Sequence, residues 1–110
     1  MQKAEHDCDR RSLTSFQQII NVGPSLEATF QRIGMKSPVE LIGADPFQLY
    51  QQLCATEQQF YDPCVLDCFL AAVDFMNGNP PRVWWDFTSQ RKAQFTNQVD
   101  QFRAKWPRET

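Results

Sequence analysis

Four proline-marked helix starts constrain this chain more than any other feature. Gly23-Pro24, Ser37-Pro38, Asp45-Pro46 and Asp62-Pro63 each set a proline directly after a residue suited to cap a helix. Proline has a fixed φ and no N–H, so it is tolerated at the first helical position, where that donor would be unpaired anyway. Further inside a helix it breaks the ladder, and the residue before it avoids helical geometry. Each pair therefore opens a helix and ends whatever preceded it. Between the starts, apolar residues recur at helical spacing. Leu26, Phe30 and Ile33 follow Pro24 and stop at Gly34. Val39, Leu41 and Ile42 follow Pro38 up to Gly43, and Phe47, Tyr50, Leu53 and Cys54 form a stripe after Pro46. Ahead of the first pair, Leu13, Phe16, Ile19 and Ile20 predict a helix over about Ser12–Ile20, broken by Asn21-Val22-Gly23.

The helix after Asp62-Pro63 carries Val65, Leu66, Phe69, Ala72, Val73 and Met76. It reads as the central, most buried helix, with Asp67, Ala71, Asp74 and Gly78 as a narrow solvated stripe. Asn79-Pro80-Pro81 breaks it. Val83-Trp84-Trp85-Asp86-Phe87 is apolar without helical period and is expected to fold back as an aromatic clasp. Thr88 or Ser89 then caps a last helix bearing Phe95, Val99, Phe102 and Trp106. The expectation is an all-α domain of about six helices: a flexible leader (1–11), a helical core (12–78), and the clasp with a C-terminal helix of the same domain (79–110). A chain of 110 residues is one domain's worth and can bury a core without disulfide or metal staples. Only four glycines are present, which argues against a turn-rich β-sandwich.

Charge is distributed unevenly. Residues 1–81 hold five Lys/Arg against ten Asp/Glu, a balance of −5, and residues 82–110 hold six against three, a balance of +3. A uniformly basic nucleic-acid binder is excluded, while a basic C-terminal face made from Arg82, Arg91, Lys92, Arg103, Lys105 and Arg108 remains open. No run approaches the roughly 18 apolar residues of a membrane span. The first residues lack the apolar stretch of a secretory signal and the four cysteines read as reduced, so a cytoplasmic location is expected.

The most informative local pattern is the bend Ile20-Asn21-Val22-Gly23-Pro24 between two helical stretches. Such a bend needs backbone conformations that glycine adopts freely and asparagine tolerates. It also leaves amides unpaired at the start of the following helix, where the helix dipole favours an anion. A phosphate oxygen is a natural ligand there. A plain hairpin with a strict turn is the alternative, and spacing alone leaves both open.

Three stretches extend this reading: IINVGPSLEATFQRIGMKSPVELIGADPFQLYQQLCA (19–55), YDPCVLDCFLAAVDFMNG (61–78) and WWDFTSQRK (84–92). Together they resemble the helix-hairpin-helix proteins of the pathogenicity-locus family, some of which carry a mitomycin-resistance label. The resemblance implies a SAM-like helix-hairpin-helix fold whose hairpin amides, with a nearby Lys or Arg, grip a DNA phosphate without reading sequence. Asn21 stands at the first glycine of that hairpin pattern, Gly23 at the second, and Val22 between them. Pro24 removes one donor, and Ser25 supplies an amide and a hydroxyl. The basic residue expected just after the hairpin is missing, and Glu27 lies one turn in, where it would repel a phosphate. The implied function is weak, non-sequence-specific DNA contact through Asn21, Val22, Gly23 and Ser25, aided by Arg91 and Lys92, with a link to DNA damage. The alternative is a protein-interaction module whose DNA grip is lost, its partner an unidentified protein.

Other chemistry is sparse. Trp84, Trp85 and Phe87 could stack on single-stranded bases, but an apolar clasp after a proline break reads better as core. Cys64 and Cys68 lie one turn apart on one helix face, with Cys54 ten residues earlier and Cys8 and His6 in the leader. Their spacing matches no recognised structural zinc pattern, and buried cysteines on an apolar helix are commoner. Cys64 also sits in a first turn, where the dipole favours a thiolate while Asp62 and burial oppose it. With the one histidine in the leader, no Ser/His or Cys/His couple assembles. No enzyme, no metal and no cofactor are expected.

Overall fold

The computed structural model describes residues 2–107. Among them the chain forms four α-helices: α1 (Pro24–Arg32), α2 (Pro46–Glu57), α3 (Pro63–Met76) and α4 (Thr88–Lys105). Three of the four begin at the proline pairs. The Asp45 carboxylate accepts from the amide of Phe47 at 2.9 Å, and that of Asp62 from the amide of Cys64 at 2.8 Å, satisfying donors that a helix start leaves open. The fourth pair, Ser37-Pro38, opens only a 3₁₀ turn, Pro38–Leu41, because Ile42 is extended and Gly43 turns left-handed at φ +73°.

The helix expected over Ser12–Ile20 is absent. In its place are two 3₁₀ turns, Arg10–Ser12 and Phe16–Gln18. Ser15 interrupts them with extended backbone: its hydroxyl accepts from the Gln17 amide at 3.2 Å, and the Gln18 side chain accepts from the amides of Ser15 and Thr14 at 3.0 and 2.9 Å. These side-chain bonds compete with a continuous helical ladder. The buried residues Leu13, Phe16, Ile19 and Val22 recur every third position, which is the 3₁₀ repeat rather than the α repeat. The architecture is therefore all-helical and compact, with four α-helices and four 3₁₀ turns among the described residues, the fourth turn being Trp84–Phe87.

Helix α3 is the centre, as expected. It packs on α2, on α4, on the Trp84–Phe87 turn and on the Pro38–Leu41 turn. Its Phe69 ring stacks on Phe30 of α1 at 5.2 Å, and Phe30 stacks on Phe16 at 5.0 Å, joining three segments in one aromatic column. Helix α4 buries little besides Val99. It is held by Phe95 and Phe102, which stack on Phe47 of α2 at 5.0 and 5.5 Å. Among the described residues, no helix is long and apolar enough to cross a membrane.

One sequence expectation is corrected by packing. Asp67 and Ala71, read as a solvated stripe, are buried, with Asp67 at 0% exposure. Asp67 Oδ1 accepts from Arg91 Nε at 2.9 Å and Oδ2 from Thr88 Oγ1 at 2.8 Å, so α4 neutralises a charge that α3 could not hide alone. The leader lies against the core. Lys3 Nζ donates to the carbonyls of Ile19 (2.9 Å) and Val22 (2.5 Å), and the Ala4 amide to Gln18 (2.7 Å). Arg10 is buried; its Nε donates to the Phe75 carbonyl at 2.7 Å, with the guanidinium 4.0 Å from the Phe75 ring centre. A cation at the C-terminal end of α3 also suits the helix dipole.

Candidate functional site

The bend before α1 is built by Asn21, which takes the left-handed conformation at φ +70°. Its side chain does more than tolerate that geometry. Nδ2 donates to the Arg82 carbonyl at 3.0 Å, and Oδ1 accepts from the Trp84 amide at 3.3 Å. The bend is thereby tied to the segment that follows Pro80-Pro81. Gly23, by contrast, is extended at φ −102°, and a Cβ there would meet nothing within 4 Å. Its identity is not forced by the turn.

The four expected phosphate-binding positions of the bend separate on inspection. The Val22 amide donates to the Ile19 carbonyl at 3.1 Å and the side chain is fully buried, so Val22 is not available to a ligand. Asn21 is occupied by its two bonds to the clasp segment. Gly23 and Ser25 keep amides that donate to no acceptor among the described residues, and so does Leu26, which the sequence reading missed. The first intrahelical bond comes from Glu27 to the Gly23 carbonyl at 3.0 Å. The Glu27 carboxylate is drawn toward the Phe16–Gln18 turn by Gln17 Nε2 at 2.9 Å.

These amides edge a groove of about 570 Å³ between the start of α1 and the first turns of α3. Leu26, Tyr61, Val65 and Trp84 supply apolar wall, and Cys64 and Cys68 line the α3 side. Arg32 also reaches it, with Nε 2.6 Å from Glu57 and a terminal nitrogen 3.1 Å from Thr29 Oγ1. Of the clasp residues, Phe87 is core, Trp84 is half-buried in the groove wall, and Trp85 stands 59% exposed, edge-on to Trp84 at 5.6 Å.

The basic set does not converge on this groove. Arg91, expected to aid a phosphate contact, has its guanidinium on Asp67 and only 11% of its side chain exposed; it is a structural ion-pair member. Lys92 is exposed on α4 in a separate shallow concavity with Thr96, Asp100 and Arg103. Arg82 lies over the Phe87 ring at 4.4 Å and 3.8 Å from Asp86. Arg103 lies over Phe60 at 5.1 Å. Arg108 falls outside the described residues.

The thiols are unpaired. Burial pushes Cys64 upward, reinforced by its contact with the Asp62 carboxylate, so the helix dipole does not prevail there. Cys68 is pushed up to about 11 by burial and by the nearby Asp67 charge. Cys54 is buried beside Tyr50 and also raised by burial. Among the described residues, no three His, Cys, Asp or Glu side chains gather as a metal cluster.

Fold and site together define a small all-helical protein with a bend-and-groove feature at one helix start. A profile of the pathogenicity locus family (Cdd1) matches residues 9–93, and the chain belongs to that family. It is also 42% identical over 74 residues to the mitomycin resistance protein McrB of Streptomyces lavendulae, a match covering 67% of this chain and 70% of that protein. No solved structure matches it.

Proposed function

We propose that this chain contacts nucleic acid through the phosphate backbone, without reading sequence, by receiving a phosphate oxygen at the start of α1. The observation that carries this reading is the set of three open amides at Gly23, Ser25 and Leu26, edging a groove at the positive end of a helix dipole. On this reading the bend plays the part of a helix-hairpin-helix turn, although only the helix after it is α-helical and 3₁₀ turns precede it. The mitomycin-resistance name of the Streptomyces relative supports examining DNA damage as the setting. Arg91 is left out of the contact set, and Lys92 enters only as an exposed cation elsewhere on the surface. With so few free cations, affinity for duplex falls near 10⁻⁴ M, about the weak end of non-specific binding.

Fluorescence anisotropy with duplex, single-stranded and branched DNA at two salt concentrations tests this. Ser25→Glu is the informative variant: a carboxylate in the first turn stabilises the helix yet repels a phosphate. Salt-sensitive binding by the wild type, lost in Ser25→Glu and kept in Gly23→Ala, is the expected result. Absence of binding at low salt removes the proposal.

A second reading, a protein-interaction module, draws on the exposed Trp85 and the acidic balance of residues 1–81. Its mark is a specific partner whose capture depends on Trp85 and not on Ser25.

A further inference from the structure

Cys64 and Cys68 are the chemistry in the groove that phosphate contact does not use. They stand four residues apart on α3, so their Cβ atoms are neighbours on one helix face, about 5–6 Å apart. Both are half-buried and both open into the groove that Trp84, Tyr61, Leu26 and Val65 wall. The other two thiols are elsewhere: Cys54 is fully buried, and Cys8 lies in a different concavity beside Arg10. A tetrahedral ion such as zinc needs four protein donors. Two thiols under an apolar, aromatic roof suit instead a soft centre that takes two sulfurs and keeps one organic group.

We propose that Cys64 and Cys68 form a dithiol site for a trivalent arsenical carrying an aromatic substituent. The reaction is a condensation. An aryl arsenoxide and two thiols give an aryl dithioarsenite and one water: two As–S bonds form, the As–O double bond and two S–H bonds break, and the thiol protons leave in the water. Arsenic stays trivalent, so no oxidant or reductant is required. The overall condensation consumes neutral thiols and releases water, so the raised pKa of each thiol in this pair does not oppose the product. Burial does slow the attack itself, on arsenic as on an alkylating reagent, because the thiolate is the nucleophile. The helix spacing holds the second thiol at high effective concentration once the first As–S bond has formed. The aryl group then lies between Trp84 and Val65.

The test uses the full chain and phenylarsine oxide, followed by intact mass, by titration of remaining thiols and by tryptophan fluorescence. The expected result is one adduct per chain, formed with loss of one water. Two of the four thiols disappear, and the emission of Trp84 changes. Cys64→Ser and Cys68→Ser are each expected to weaken the adduct about 100-fold or more, since either leaves a single sulfur. Cys8→Ser leaves it unchanged. Circular dichroism matching the wild type shows that each variant is folded. An adduct that forms equally well without Cys64 or Cys68, one that requires Cys8 or Cys54, or no adduct at all overturns the proposal.

Discussion

Removing the guanidinium of Arg91 is the most demanding test of how this fold is held. Asp67 has no exposed side-chain surface, and Arg91 supplies its main compensation, with Nε at 2.9 Å and a second nitrogen at 3.4 Å. Thr88 adds one neutral hydrogen bond at 2.8 Å. In Arg91→Leu the carboxylate stays buried with that single donor. Breaking one side of a buried pair costs about 3–5 kcal/mol, against about 0–1 kcal/mol for an exposed pair. Domains of this size lose about 4–8 °C of Tm per kcal/mol, so a fall of at least roughly 12 °C is expected. Natural domains hold only about 5–15 kcal/mol in total, so the variant should stand close to unfolding.

Urea and thermal denaturation monitored by circular dichroism measure this directly. The double variant Asp67→Leu/Arg91→Leu separates the pair from the packing. A buried ion pair replaced by apolar side chains of similar size is often neutral or stabilising, so the double variant should recover most of the loss. A fall below about 1 kcal/mol in Arg91→Leu would place the pair among surface salt bridges and refute the reasoning. A double variant no better than the single would show that α4 docks through packing and not through charge compensation.

Three further perturbations follow from the same contacts. Asn21→Gly keeps the left-handed bend but loses the bonds to Arg82 and Trp84, costing about 1–2 kcal/mol at about 1 kcal/mol per bond; Asn21→Ala should cost more, because alanine resists φ +70°. Urea titration decides, and an unchanged Asn21→Gly midpoint counts against the bridge. Arg10→Ala strands the carbonyls of Phe75 and Asn79 and should cost about 2–3 kcal/mol, with faster amide exchange over residues 2–20 as the local signature. Stability should also fall as pH rises from 9 toward 11. Cys68 is pushed up to about 11, and Cys54 and Tyr50 are likewise raised by burial, so the native state binds more protons than the unfolded chain in that window. Flat stability across it would contradict the burial of these groups.

What the sequence reveals here is what is local. A proline after a cap residue acts within one turn, so the starts of α1, α2 and α3 are legible, and the apolar circumference of α3 marks it as central. Over Ser12–Val22 the sequence does not separate the two helix types: Leu13, Phe16, Ile19 and Val22 repeat every third residue, while Ile20 completes an α pattern. Asp67 was not legible. Its stripe of Asp67, Ala71 and Asp74 has the composition of a wet face, and its partner sits 24 positions away on another helix. The same holds for Arg10 and Lys3, whose partners are backbone carbonyls that leave no mark in a side-chain pattern. The sequence predicts open amides at Val22, Gly23 and Ser25, but the Val22 amide is taken by the Ile19 carbonyl. That bond is local to the turn, whereas the partners of Asn21 lie more than 60 positions away and leave no mark in the sequence.

Asparagine at position 21 shows why the bend and the groove cannot be treated separately. Glycine would adopt the left-handed conformation more freely. After Pro80-Pro81, however, the chain leaves the Arg82 carbonyl and the Trp84 amide without a helical ladder, and both need partners. One asparagine side chain supplies a donor and an acceptor to that pair, and in doing so it sets Trp84 as a wall of the groove. On the other side of the same bend, the Lys3 ammonium covers the carbonyls of Ile19 and Val22. The carbonyl ends of the bend are thus neutralised from within, while the amides of Gly23, Ser25 and Leu26 are left uncovered. A chain with a net charge of −2 can therefore present an edge of open backbone dipoles, with Lys3 and Arg32, both already engaged with the protein's own groups, as the cations beside it. On the proposed reading such an edge takes one phosphate oxygen of a nucleic-acid backbone, and its binding should weaken with salt, though less steeply than that of a surface rich in lysine and arginine.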